Sequence, residues 1–329
     1  MNLADVDVAD LAAKIAAGDR QAVAAGLRLI DNRKMRDAAA RLLAALPKDR
    51  LERSGHLIGI TGSPGAGKST LCSKLIQAWR KQGKRVGVLA VDPSSHRSGG
   101  ALLGDRIRML QTHKDDDLFI RSLANRNQLG GLSRESWPMS QVMLAAFDVV
   151  LVETVGVGQS EIDVASLTDT TCFIVQPAAG DSIQFIKAGV LEIPHLLVVN
   201  KADLGDVARR AAQDLRHALP LQSFDEDWTP PIVLASAVTS QGIDEVVAKF
   251  AAHRAHLDDA GRLQQVRRGH QASWALRQLK DEFGTHGMEF LGGEEKLRNA
   301  WTREVGTSAL DQYQGMRRRL LEAFGAAES

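Results

Sequence analysis

Residues 62 to 70 read Gly-Ser-Pro-Gly-Ala-Gly-Lys-Ser-Thr. Gly62, four further residues and then Gly67-Lys68-Ser69 make a spacing suited to holding phosphate. Glycines let the backbone curl until its N–H groups converge on an anion, and a helix starting there adds partial positive charge. Gly62, Ser63, Pro64, Gly65, Ala66 and Gly67 would form the cradle. Lys68 would reach the β- and γ-phosphates, Ser69 would give its hydroxyl to Mg²⁺, and Thr70 would continue the contact.

A phosphate cradle does not choose between nucleotides. Asn200-Lys201-Ala202-Asp203, which follows an apolar run, does. A carboxylate at Asp203 can accept from guanine N1–H and its exocyclic amine, donors that adenine does not present in that place. The stem of Lys201 can lie on the purine face, and Asn200 can tie this segment to the phosphate loop. Backbone amides near Ser236 and Ala237, at another strand end, could meet guanine O6.

Three carboxylates are candidates for the metal or the attacking water. Asp92 ends an apolar run beside the expected γ-phosphate. Glu153 opens Glu-Thr-Val-Gly, similar to the DxxG motif of GTPases, with Gly156 placed to sense the γ-phosphate through its N–H. Asp105 follows Gly99-Gly100 and has two readings, a helix cap and a switch carboxylate that reaches the metal only with nucleotide bound. Arg106 and Arg108 either steer phosphate or a partner or are surface charge. Val157 stands where Ras-like proteins carry a water-orienting glutamine, and Gln159 lies two residues on. Slow intrinsic hydrolysis is expected. Residues 176–193, with Gly180, Asp181 and Lys187, are either a further nucleotide-sensing segment or a plain connection.

These groups need a scaffold. Leu57–Thr61, Val86–Val91, Leu118–Ile120, Val149–Glu153, Thr171–Val175, Leu196–Val199 and Ile232–Ala235 are continuous apolar runs, as strands buried on both faces are. With helices between them they predict an α/β fold, a P-loop NTPase with a mostly parallel sheet between helix layers. Ligands bind such sheets at the strands' carboxyl ends, where each motif above falls. Helical extensions are expected at both ends. The expected division is 1–55 helical, 56–245 nucleotide-binding and 246–329 helical. In the first, Asp7 and Asp19 are candidate caps and Gly18 and Pro47 candidate stops. Helices are read over Leu71–Gln82, Val246–His256 and Leu263–Glu282, with one or two more across Leu297–Phe324. His253 and His256 share a helix face, but with no third ligand nearby they read as packed or solvated rather than metal-binding.

The chain has 329 residues, a formal charge of +1 and two cysteines, Cys72 and Cys172. The charge marks no nucleic-acid partner, no apolar run suggests a membrane span, and the unpaired cysteines fit core positions in a reducing cytoplasm.

Taken in order, GITGSPGAGKSTL, VLAVDPSS, SGGALLGDRIRM, ETVGVGQSE and NKAD closely resemble the methylmalonyl-CoA mutase-associated GTPases, the MeaB or ArgK-like family. The resemblance runs over about residues 5–325, and SGGALLGDRIRM is its most specific part. It implies GTP hydrolysis with Mg²⁺ and a homodimer built through the helical extensions, with 246–329 as the dimerisation region. It also implies a partner, adenosylcobalamin-dependent methylmalonyl-CoA mutase, whose cofactor loading it gates, which it protects from inactivation, and which raises its hydrolysis. Two other classes attach to similar proteins: a kinase linked to amino-acid transport, and a metal-delivery GTPase. No acceptor site for the first or Cys/His cluster for the second is legible. No DxHxxG-like cobalamin motif is present.

Overall fold

The computed structural model describes residues 7–93, 115–125, 133–154, 160–177, 194–219, 228–259, 261–303 and 309–325. Among them are seven strands: β1 His56–Gly62, β2 Val86–Pro93, β3 Leu118–Asn125, β4 Val149–Thr154, β5 Thr170–Val175, β6 Leu196–Val199 and β7 Ile232–Leu234. They form one sheet in the order β3-β2-β4-β1-β5-β6-β7, and every neighbouring pair is parallel. This is the α/β architecture that the apolar runs predict. β3 extends past Ile120 through Arg121 and Ser122, which an edge strand tolerates because it lacks a neighbour on one side.

Twelve helices are described: α1 Val8–Ala16, α2 Arg20–Asp31, α3 Arg36–Ala45, α4 Lys48–Glu52, α5 Lys68–Lys81, α6 Ser136–Ala146, α7 Ser160–Ala165, α8 Asp206–Ala218, α9 Ile243–Asp259, α10 Arg262–Phe290, α11 Glu294–Arg303 and α12 Ala309–Ala323. Asp7 caps α1 by accepting from the amides of Ala9 and Asp10, and Asp19 caps α2 through the Ala22 amide. Gly18 takes the left-handed φ of 86° between them. α10 breaks at Gly284, which has a φ of 67°.

Alternation along the strands sorts their side chains into two layers. Ile58, Ile60, Val88, Leu151 and Ile174 pack with Leu71 and Leu75 of α5 and Phe250 of α9; Cys72 and Cys172 are buried in the same core. On the opposite face Leu57, Leu89, Val150 and Val152 pack with α6 and with Val23 and Leu27 of the N-terminal helices. Phe173, Val175, Leu197 and Val199 meet α8 on that same side. The C-terminal helices add a core of their own around Leu276, Leu279, Trp301 and Leu320. They dock on α6 through Trp274, stacked on Trp137 with ring centroids 4.8 Å apart.

β1 and β4 are neighbours, yet the helix after β1 packs on one face and the helix after β4 on the other. Such a reversal opens a crevice beyond the carboxyl ends of the two strands.

At the opposite, amino-terminal edge lies a buried polar network. Thr170 Oγ1 is 2.7 Å from His56 Nε2 and 2.7 Å from His253 Nδ1. Asp169 accepts from the Leu57 amide and is gripped by Arg267 at 2.8 and 2.6 Å. His253 and His256, read from sequence as packed or solvated, are packed. His195 stacks on His253 with centroids 4.3 Å apart, and Trp228 packs against both His253 and His256. Folding joins residues 24 to 114 apart in the chain, a proximity that no local spacing displays. Among the described residues no group of three or more His, Cys, Asp or Glu could hold a metal.

Candidate functional site: a phosphate loop tied to a base-reading turn

The crevice beyond β1 and β4 is lined by the loop from Gly62 to Gly67. Gly62, Gly65 and Gly67 have φ of 138°, 78° and 84°. At Gly62 a Cβ would lie 2.2 Å from the Ile174 carbonyl, and at Gly67 2.5 Å from Asn200 Nδ2. Both positions therefore require glycine on conformation and on space. Gly67 precedes α5 without a side chain to cap it. The first-turn N–H groups of Lys68, Ser69 and Thr70 thus lack helical partners and turn toward the loop. Ser63, Ala66 and Lys68 are buried, while Pro64, Gly65 and Thr70 are exposed. Lys68 Nζ donates to the carbonyls of Gly62 at 2.7 Å and Ser63 at 2.9 Å, placing the ammonium inside the curl.

Parallel pairing of β1 with β4 sets Ile60 beside Glu153, and Ser69 Oγ donates to Glu153 Oε1 at 2.8 Å. Glu153 is 0 % exposed, and its Oε2 is buried with no hydrogen-bond partner among the described residues. Burial pushes this carboxyl up to about 7, against the pull of Ser69, Lys68 and Cys72. A buried acidic oxygen without a donor, next to a serine hydroxyl, is a hard-oxygen set that suits Mg²⁺. The β2 backbone carries Asp92 to the same end of the sheet, one residue beyond the Val91–Thr154 register pair. Asp105, Arg106, Arg108, Gly156, Val157, Gln159, Gly180, Asp181 and Lys187 lie outside the described residues.

The second half of the site is built by the turns after β6 and β7. Asn200 is 2 % exposed. Its Nδ2 donates to the Ala66 carbonyl at 2.8 Å and, more weakly, to that of Gly67 at 3.5 Å; its Oδ1 accepts from the Ala237 amide at 3.3 Å. One side chain thus fastens the phosphate loop to both turns, the tie expected from sequence. Lys201 takes a left-handed φ of 60°, uncommon for a residue with a Cβ and typical of constrained functional turns. Asp203 Oδ1 accepts from Ser236 Oγ at 2.5 Å, and that hydroxyl accepts from the Thr239 amide at 3.2 Å. Amides near Ser236 and Ala237 are the ones the sequence reading gives to guanine O6. The Ser236 amide is committed to the Gln241 carbonyl at 2.9 Å, because the chain must turn back into α9 there. The Ala237 amide is held only by its long bond to Asn200. Two contributions were not read from sequence, the hydroxyl of Ser236 on Asp203 and the Cys72 thiol beside Glu153. The spacing of Ser69 and Cys72, one helical turn apart, was the available signal for the second.

A parallel sheet with a glycine loop leading into α5, a buried acid at the neighbouring strand and an Asn-Lys-x-Asp turn defines a P-loop nucleotide triphosphatase of the guanine-nucleotide type. More narrowly, residues 23–289 match the family model for methylmalonyl-CoA mutase-associated GTPase MeaB, and the chain belongs to that family and is a GTPase. It is 36% identical over 295 residues to GTPase ArgK of Escherichia coli, covering 86% of each chain. It is 34% identical to the mitochondrial methylmalonic aciduria type A homolog of Mus musculus, covering 82% of this chain and 68% of that one. A crystal structure described as an LAO/AO transport system kinase superposes with a TM-score of 0.68 at 27% identity, covering 98% and 99% of the two chains.

Proposed function

We propose that this GTPase is a cytoplasmic, homodimeric switch and chaperone for adenosylcobalamin-dependent methylmalonyl-CoA mutase, gating its cofactor loading and protecting it from inactivation. The observation that carries the reading is the match to the mutase-associated family over residues 23–289.

The site residues take the following roles in this reading. The loop amides of Gly62–Gly67 and the first turn of α5 bind the phosphates, and the Lys68 ammonium neutralises charge that grows on them during transfer. Ser69 and Glu153 would hold Mg²⁺, which when bound draws charge from the β- and γ-phosphate oxygens. Asp92 and Asp105 complete the metal and water side, and the Gly156 amide reports on the γ-phosphate. Asp203 accepts from the guanine edge; the Ser236 hydroxyl holds it in place. Lys201 covers one face of the base, and Asn200 keeps base and phosphate subsites in register. Val157 cannot orient water, so in this reading the partner raises hydrolysis, with Asp105 and the 176–193 segment as the candidate parts through which it acts.

The kinase name carried by one structural relative gives a second reading, phosphoryl transfer to a protein. Incubation with γ-labelled GTP and purified mutase separates the two. The label is expected in free phosphate, and label retained on a protein would replace the switch by a kinase.

A further inference from the structure

β5 and β6 end side by side at the nucleotide crevice, with Val175 in register with Val199. Each strand is followed by a residue with a side-chain amide, Gln176 and Asn200. The Asn200 backbone N–H donates to the Val175 carbonyl at 3.0 Å, which keeps the two ends level. The Asn200 side chain is committed to its bonds with Ala66, Gly67 and Ala237. The Gln176 side chain is half-buried and makes no hydrogen bond among the described residues. Pro177 follows it and is buried. A proline disfavours helical backbone at the residue before it, so Gln176 prolongs the line of β5 toward the crevice.

That side chain ends on the phosphate loop. A Cβ placed at Gly65 would lie 3.3 Å from Gln176 Oε1. Leaving aside the chain neighbours of Gly65, no other atom of the described residues comes within 4 Å of that point. Gly65 is exposed and has a left-handed φ of 78°, so it forms the open lip of the curl. Gln176 alone covers the lip on this side. Its amide carries two N–H donors besides the oxygen. With Oε1 against Gly65, Nε2 is the end left for a ligand. The loop beneath it gathers backbone N–H groups around an anion, and a phosphate chain consists of acceptors. A free donor at the rim of an anion site meets the need of that ligand.

We propose that Gln176 is a further phosphate-contacting residue of the GTPase site, donating Nε2–H to the phosphate chain of the bound guanine nucleotide across the lip at Gly65. The proposal rests on the reading of Gly62–Ser69 as the phosphate loop. Gln176 is also the first residue of the 176–193 segment, so the contact fastens the start of that segment to the nucleotide.

The test titrates the full chain, freed of nucleotide, with GDP in a calorimeter, for the wild type, Gln176→Ala and Gln176→Glu. Alanine removes the donor. Glutamate keeps the shape of glutamine but brings a negative charge to the same place. Gln176→Ala is expected to weaken GDP about tenfold, the loss of one hydrogen bond to a charged group. Gln176→Glu should weaken it at least about tenfold more than alanine does, by repulsion of the phosphates. That extra loss should shrink as KCl rises from about 0.05 M to about 0.5 M, because salt screens facing charges. Urea midpoints of the nucleotide-free variants should match the wild type, since the side chain makes no hydrogen bond within the described fold. GDP affinity within about twofold of wild type in both variants, equal losses in the two, or an extra loss that salt leaves unchanged would overturn the contact. A lower nucleotide-free urea midpoint in Gln176→Ala would also overturn it, by making the residue a brace of the fold. Those results, with GDP still bound by the wild type, would leave the loop reading intact. No GDP binding by the wild type would refute the loop reading and this proposal with it.

Discussion

Replacing Asn200 by alanine tests the idea that one side chain holds the two halves of the nucleotide site together. The amide is 2 % exposed and bonds Ala66, Gly67 and Ala237. Its removal leaves the Ala66 carbonyl and the Ala237 amide without this partner in a dry place. A buried polar group left unpaired costs ~1–3 kcal/mol, so the two together should cost on the order of 2–4 kcal/mol. Urea unfolding of nucleotide-free protein should show that loss as a lower midpoint with an unchanged m-value. GDP affinity should fall at least about tenfold, or ~1.4 kcal/mol, because the loop and the base turn lose their common register. Asn200→Asp is a sharper variant. It keeps the acceptor for Ala237 but turns a carboxylate toward the carbonyls of Ala66 and Gly67, and it should weaken GDP more than alanine does. Stability within about 0.5 kcal/mol of wild type together with unchanged GDP binding would show that the bridge carries no energy.

Asp203→Asn should lower GDP affinity about tenfold or more, since a donor would then face guanine donors; unchanged affinity by calorimetry would remove Asp203 from base reading. Lys68→Ala should abolish phosphate release without unfolding the chain, and release near the wild-type rate would refute the loop assignment. Acid should destabilise the protein in two stages. Burial holds His56 at about 3 and His253 at about 2 in the fold, against 6.5 when unfolded. Above pH 6.5 their contribution is therefore complete, and as pH falls below 6.5 the unfolded chain takes up protons that the fold refuses. The two, coupled through Thr170, should lose on the order of 2–4 kcal/mol between pH 7 and pH 5; His270, held at about 4 by burial, adds to that loss, while Glu153, raised to about 7, takes up its proton in the fold first and offsets on the order of 2 kcal/mol of it. A second loss should begin below pH ~4. Burial would raise Asp169, but the charge and bonds of Arg267 overcome this and hold it at about 2, so its protonation favours the unfolded chain. Urea midpoints independent of pH from 8 to 5 would contradict the buried-neutral assignment.

Much of this organisation is legible in the chain because the nucleotide site is local. Gly62 to Ser69 sit within eight residues, and their roles follow from backbone geometry that glycine permits. The strands are legible because a sheet covered on both faces must be apolar throughout, and the caps Asp7 and Asp19 because their hydrogen bonds span two or three residues. Helix α6 is not legible as an amphipathic stripe. All of its residues except Gln141 are buried, so no polar face marks the period, and Pro138 in its first turn reads as a breaker until its place at the helix start is known. The Thr170 network was hidden for another reason. It joins distant segments, and a single residue such as His253 carries no spacing signal. The orphaned Oε2 of Glu153 is likewise a property of packing; the sequence supplies only the glutamate where an aspartate is usual.

The most direct test of the switch model is phosphate release from GTP by the purified protein, alone and with saturating methylmalonyl-CoA mutase, for the wild type and for Asp105→Ala. The expected result is slow release alone and at least a tenfold rise with the mutase, about 1.4 kcal/mol of barrier, with most of the rise lost in Asp105→Ala while GDP still binds. Equal rates with and without the mutase, or full stimulation of the Asp105→Ala protein, would contradict the account and leave Asp105 as a helix cap.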